Sequence, residues 1–423
     1  MEIFKMNEKI QVVAPESVGL SSSQLSKLSN FFQSEYIDAG RLAGCMIAVA
    51  RHGEVAHLSV LGKSDMEQNR SMREDDLFRI YSMSKPITSV ALMNLYEDGL
   101  FQLSDPVSKF IPEWKNLEVY VGGKYPNWET KPCDREMTIS DLLTHQSGIA
   151  AGSFGASGNY PEIEQAYRDI GLGPDWFQTK GLTLKDTINA LSSVPLAFSP
   201  GDYWNYSIST DICGYLVEVI SDRKFDVFLK DEIFDPLGMN DTSFEVDPSK
   251  ASRLTSNYTH GLDGKLELFD SAIDSGFLGP ISYFSGAGGL ISTMADYLRF
   301  AQMLLNKGEL EGTRIISSKT LDLMTMNHLT DGGTMQDREK KKSLSLRSPG
   351  HGFGLGFSMV LDVAQSESIG SVGEFRWGGA ASTAFWVDPL EDLLVVFMTQ
   401  LTRATTQIRP QLKSLIYPAI IDA

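Results

Sequence analysis

Cysteine is scarce. The 423 residues contain three, Cys45, Cys133 and Cys213, far apart and odd in number. That excludes a disulfide framework and a cysteine-rich metal site, and leaves three free thiols in or near the core. Positive charge is also outweighed. There are 37 lysines and arginines against 54 aspartates and glutamates, a net charge of −17. Nucleic acid and anionic membrane both reward basic surface, so neither is expected as a partner. No stretch approaches the ~20 apolar residues of a membrane helix. The opening "MEIFKMNEKIQVVAPESVG" has no apolar run of the signal-peptide kind, and the chain reads as cytoplasmic. Gly-x-Ser-x-Gly does not occur, which removes the strand-to-helix nucleophile elbow. The six histidines, His52, His57, His145, His260, His328 and His351, show no metal-ligand spacing and read as structural, His145 at a helix end. No metal and no organic cofactor is expected. No internal repeat is visible.

What is there is ordinary soluble-protein composition, 42% hydrophobic and 22% charged, which can fill a sizeable core. The length suits two domains, or one large domain with an insertion. Residues 20–37 carry Leu25, Leu28, Phe31 and Phe32 at helical spacing behind serine caps. "GCMIAVARHGEVAHLSVLG" reads as a hairpin turning at Arg51 to Glu54, and "STAFWVDPLEDLLVVFMTQ" as a second hairpin near the other end. "GLGFSMVLDV" supplies another strand. The final stretch is helix-like, with Pro410 and Pro418 expected to interrupt it. Between the strand-rich ends lie helical patterns and loops such as "TISDLLTHQSG" and "STDICGYLVEVISD". The reading is a mixed α/β chain. Residues 1–110 and 235–423 form a domain around a central antiparallel sheet, residues 111–234 form a mostly helical domain, and the active site lies in the cleft between them. The basic cluster at 337–350 reads as a solvated loop.

The chemistry concentrates in "RIYSMSKPITSVALMNLYEDG". Ile87, Val90, Ala91 and Leu95 make a helical stripe, Gly99 is a natural stop, and Pro86 falls in the first turn. Ser82 therefore sits at a helix N-terminus with Lys85 one turn on, within reach of its hydroxyl. A serine needs a base to become a nucleophile. A free lysine, with a pKa near ~10.4, is a poor base at neutral pH and needs burial or a neighbouring cation or phenol. The pair thus predicts a third partner. Spacing alone decides little, because Ser221 and Lys224 repeat the pattern at the polar end of another helix.

Context decides more. "YSMSKPITSVALMNLYEDGLFQLSDPVSKFIPEW", "MTISDLLTHQSGI", "FSPGDYWNYSISTDICGYLVEVIS", "FDPLGMNDTSF" and "SGAGGLISTMADYLRFAQMLLNKGEL" together resemble the serine β-lactamase and penicillin-binding-protein superfamily over about residues 14–400. The nearest likeness is to the class C β-lactamase-like esterases, the family VIII carboxylesterases. The resemblance implies a β-lactamase-like fold and three motifs. Ser82 and Lys85 are the first. The second is "YSI" from Tyr206, whose phenol serves in the family as general base and then as proton donor to the leaving group; "YPN" at Tyr125 lies in a loop and is set aside. The third is Trp377, Gly378 and Gly379, where β-lactamases carry Lys-Thr-Gly or His-Thr-Gly. The resemblance puts the oxyanion hole on the N–H groups of Ser82 and Ala380. The two glycines are expected to let a strand edge approach substrate closely.

Two departures shape the expected substrate. Ile208 stands where β-lactamases have an asparagine, and Trp377 where they have a lysine or histidine. Both exchange polar recognition for apolar surface. The expected activity is hydrolysis of short-chain, uncharged carboxylic esters through an acyl-enzyme on Ser82, with weak β-lactam hydrolysis on the side. Tyr81, Trp377, Gly378, Gly379 and Ile208 are the expected substrate contacts, with the loops 147–160 and 276–289 bordering the cleft. The alternatives are a β-lactamase, a D-amino-acid peptidase or an acyltransferase using the same site, or a binding protein of this fold. Oligomeric state, natural ester and stereochemical preference are not legible.

Overall fold

The computed structural model describes residues 9–150, 160–172, 181–338, 349–402 and 408–421. Most of the 147–160 loop, part of "GLGPDW" and most of the basic cluster at 337–350 lie outside the described residues. The fold is β-lactamase-like, a large antiparallel sheet flanked by helices.

Strands β1 (Gly44–Arg51), β2 (Glu54–Asp65) and β3 (Arg70–Ser71) come from the front of the chain. Strands β4 (His351–Phe353), β5 (Ser358–Val360), β6 (Phe375–Gly378), β7 (Ala384–Asp388) and β8 (Leu393–Thr399) come from the back. They join as one sheet in the order β4-β5-β6-β7-β8-β1-β2-β3, antiparallel throughout. The β1–β2 hairpin closes on Arg51 opposite Glu54, with His52 and Gly53 both left-handed, as a two-residue turn matched to strand twist requires.

Both faces of the central strands are covered, so β1 and β8 read as unbroken apolar runs instead of alternating ones. Met46, Ala48 and Ala50 face one core. Cys45, Ile47 and Val49 face the other, with helices α1 (Ser22–Phe32) and α5 (Ile408–Ile416) against them. Pro410 falls in the first turn of α5, where a missing N–H costs little, so it does not interrupt the helix; Pro418 lies in the short turn beyond its end.

The larger core surrounds helix α2 (Ser84–Glu97), which is buried from Ser84 through Met93. A helix covered all round belongs in the centre of a protein, and its apolar stripe understates that. Helices α3 (Ser209–Ser221) and α4 (Met294–Leu305) lie in the same core. The segment read as helices and loops also holds a hairpin, Glu118–Lys124 against Asn127–Pro132. Its Gly122, Gly123 and Pro126 read as a loop, and its residues are mostly exposed, so no buried face imposed a visible alternation. Tyr125, set aside above, lies in its turn. Among the described residues no helix is long and apolar enough to cross a membrane.

Candidate active site

The Ser82 turn is built by a short strand pair and a strained residue. Phe78 and Arg79 pair with Ser292 and Ile291, and the Ile80 N–H donates to Leu290 O at 3.1 Å. Tyr81 then takes φ 43°, rare for a bulky residue. Such strain costs on the order of 1–3 kcal/mol and persists where the surroundings over-determine it. They do so here. The Leu290 N–H donates to Ser84 Oγ at 3.2 Å, and the Tyr297 hydroxyl to Met83 O at 3.0 Å. A tight turn, Tyr81–Met83, leads straight into α2, so Ser82 meets the positive end of that helix.

Ser82 is 6% exposed and Lys85 is 1% exposed. The Tyr206 hydroxyl donates to Ser82 Oγ at 2.6 Å, across 124 residues of sequence. The lysine is held by two neighbours. Its ammonium donates to Ala287 O at 2.7 Å and sits 4.6 Å from the centre of the Tyr206 ring. Lys85 therefore lies against the tyrosine whose hydroxyl reaches the serine. A buried ammonium needs such acceptors to offset lost hydration, and an aromatic face adds about 2 kcal/mol when desolvated.

The third motif closes the site from the sheet. Trp377 lies 5.5 Å from Tyr206, ring centre to ring centre, and 5.2 Å from Phe353. His145 also packs on Tyr206, at 5.0 Å between ring centres. Its Nδ1 accepts the Ser207 N–H at 3.3 Å, and burial, helped by the Lys85 charge, holds the ring neutral by lowering its pKa well below the usual value. Both glycines lie tight against the protein's own chain. A Cβ on Gly379 would collide with the Ile80 carbonyl, and one on Gly378 with the Arg409 guanidinium. The close approach is of the strand to the protein's own chain, which draws Gly379 and Ala380 toward the residues just before Ser82.

Ser82, Lys85, Tyr206, Trp377 and the Gly378–Ala380 turn are thus brought together. Tyr81 and Ile208 are buried in the core, Tyr81 with its hydroxyl held by Asn257 Nδ2 at 3.1 Å. They brace the site from behind and offer a ligand little surface. What sequence did not give is the packing of His145 and Phe353 around Tyr206 and Trp377, and the Ala287 carbonyl as the acceptor of Lys85 within a stretch expected only to border the cleft. "LLTHQSG" signalled only a helix end, and no local pattern marks a carbonyl as a lysine's acceptor.

A family model described as beta-lactamase matches residues 32–414. The chain belongs to the beta-lactamase family. Protein Rv1367c of Mycobacterium tuberculosis is 35% identical over 374 residues, 86% of this chain and 88% of that one. Esterase EstB of Burkholderia gladioli is 26% identical over 400 residues, 91% of this chain and 93% of that one. Among solved structures, EstCE1, a hydrolase with promiscuous acyltransferase activity, superimposes with a TM-score of 0.76 at 24% identity, covering 93% of this chain and 99% of that one. That likeness carries the beta-lactamase fold. It matches the architecture described above, with helices on both faces of one antiparallel sheet.

Proposed function

We propose that the protein is a serine carboxylesterase of the family VIII type, acting on short, uncharged esters in the cytoplasm. The observation that carries this reading is the line Lys85–Tyr206–Ser82, with the phenol 2.6 Å from Ser82 Oγ and the ammonium against its ring. An ammonium against a phenol favours the phenolate, and a phenolate at hydrogen-bond distance can take the serine proton. Ser82 Oγ attacks the ester carbonyl carbon as its proton passes to Tyr206. The tetrahedral oxygen faces the N–H groups of Ser82 and Ala380, two donors of the oxyanion-hole kind, typically worth about 3–4 kcal/mol each. The carbon–alkoxide bond then breaks, and Tyr206 returns the proton to the departing alcohol. Water repeats the sequence in reverse and frees the acid.

The family membership and the 26% identity to an esterase support hydrolysis. Trp377, half-buried beside Tyr206 and backed by the buried Phe353, gives the site an apolar side, which favours uncharged esters. The cleft between the sheet domain and the helical domain, divided near residues 110 and 235, is the proposed entrance. The same acyl-enzyme can pass its acyl group to an alcohol. Hydrolysis of a short chromogenic ester, with and without an added alcohol, tests both. Turnover that depends on Ser82 supports the reading, and activity retained in Ser82→Ala overturns it. An ester product formed faster than the acid would reassign the protein as an acyltransferase.

A further inference from the structure

One of the buried acids that the mechanism does not use faces the strap that holds Lys85. Asp211, in the first turn of α3, is 0% exposed. Its Oδ1 accepts the Ser285 hydroxyl at 2.8 Å and the Ala287 N–H at 2.8 Å, and its Oδ2 accepts the Tyr283 hydroxyl at 3.3 Å. All three donors belong to the strap that holds Lys85. The connection is continuous. The Lys85 ammonium donates to Ala287 O at 2.7 Å. On the other side of that same peptide group, the Gly288 N–H donates to Ser285 Oγ at 3.1 Å. Ser285 in turn donates to Asp211. One peptide unit and one hydroxyl thus join a buried cation to a buried carboxyl, and hydrogen bonds in such a chain polarise one another.

The strap is pressed into place for this. A Cβ on Gly286 would meet Thr210 O and the Thr88 side chain, while Thr88 Oγ1 donates to Gly286 O at 2.9 Å. The carbonyl that receives Lys85 is therefore fixed from α2 and α3 at once.

We propose that Asp211 is a positioning residue for acyl transfer, holding the Lys85 ammonium against Tyr206 through Ser285 and the peptide joining Ala287 to Gly288. This rests on the Ser82–Tyr206–Lys85 reading. The carboxylate charge strengthens the Ala287 carbonyl as an acceptor for the ammonium, and the ammonium so held against the ring favours the Tyr206 phenolate. The titratable groups acting on Asp211 are Lys85 from α2, Tyr283 from the strap and Cys213 from its own helix. Burial pushes the Asp211 carboxyl up to about 7, against the pull of its hydrogen bonds and of Lys85. Its charge is lost as pH falls through that value, and kcat falls with it.

The test compares the parent, Ser82→Ala, Asp211→Asn and Ser285→Ala with p-nitrophenyl acetate across the neutral range. The rate at which a fluorophosphonate labels Ser82 is followed in parallel, and a thermal melt certifies each fold. Asp211→Asn keeps the shape and an acceptor oxygen but no charge. It loses kcat by at least about tenfold, the scale of one charged hydrogen bond, with KM changed by less than about twofold and the acid limb near neutrality gone. Ser285→Ala breaks the relay but keeps the carboxyl; its kcat falls less and the limb remains. It also stands in should Asp211→Asn fail to fold. Parent-like kcat, labelling rate and acid limb in Asp211→Asn would overturn the proposal, as would a parent-like kcat and labelling rate in Ser285→Ala. A parent whose Ser82 neither labels nor matters for turnover would bring down the esterase reading first, and this role with it.

Discussion

The chain contains two Ser-x-x-Lys segments, and they end at opposite poles of their helices. Ser82 and Lys85 open α2, whereas Ser221 closes α3 and Lys224 lies beyond it. At the first site a strained Tyr81 turns the serine toward the helix's positive end, and the lysine is buried on a carbonyl and a tyrosine ring. At the second, Ser221 Oγ donates back to Val217 O at 2.6 Å, Asp222 turns left-handed to finish the helix, and Lys224 is exposed. A serine bonded to its own helix, at the negative end, is neither activated nor stabilised as an oxyanion. The spacing is the same at both. What sets Ser82 apart as the candidate nucleophile is what the rest of the chain packs around it.

The sharpest break of that comparison is Ser82→Ala. It is expected to lower kcat/KM by at least about 10⁴-fold, the scale seen when a serine nucleophile is removed, and to abolish any acyl adduct. Tyr206→Phe comes next. It keeps the ring that Lys85 and Trp377 touch and removes only the hydroxyl on Ser82. Loss of general acid–base catalysis predicts a fall in kcat of about 10²–10⁴-fold with little change in KM, read from steady-state kinetics.

Asp211 separates stability from activity. Its folded carboxyl, at about 7, lies above the ordinary 3.8, so the native state holds the proton more tightly than the unfolded chain. Stability therefore falls as pH rises from about 4 to about 7, and the full cost is present above that. Asp211→Asn removes the charge. Its stability gain over the parent is expected to be largest above pH ~7, up to roughly 4 kcal/mol by linkage, and to vanish below pH ~4, as measured by denaturant unfolding at several pH values. A gain independent of pH would show that ionisation of Asp211 is not its cause.

Gly379→Ala tests the third motif by steric force. The new methyl meets the Ile80 carbonyl and Thr383 Oγ1, so the turn that carries Ala380 must give way. With Ala380 as the proposed oxyanion donor, that displacement predicts a kcat loss of about tenfold or more with KM less affected. The smallest effect belongs to the second segment. Ser221→Ala should leave kcat/KM within about twofold of the parent, and a large loss there would erase the distinction between the two segments.

Much of the first segment was legible locally. Pro86 in the first turn, the stripe from Ile87 to Leu95 and left-handed Gly99 at the stop all follow from short-range backbone rules. So do the hairpins, whose turns and apolar runs are contiguous. Tyr206 could be placed beside Ser82 only through the family resemblance, because the contact spans 124 residues. The role of Ala287 was invisible because a backbone carbonyl leaves no mark in sequence, and Asp211 looked like any acid in a helix's first turn. The hairpin at 118–132 was missed because exposed strands need no alternation. The glycines of the third motif were noticed for the absence of a Cβ, and Ile80 is one neighbour that demands it.

The most direct measurement is intact-mass analysis of the parent and Ser82→Ala after brief exposure to a short chromogenic ester, with peptide mapping of any adduct. The expected result is one acyl group on the parent, mapped to Ser82, and none on the variant, alongside turnover by the parent alone. An adduct on another residue, or equal turnover by Ser82→Ala, would contradict the assignment of Ser82 as the nucleophile.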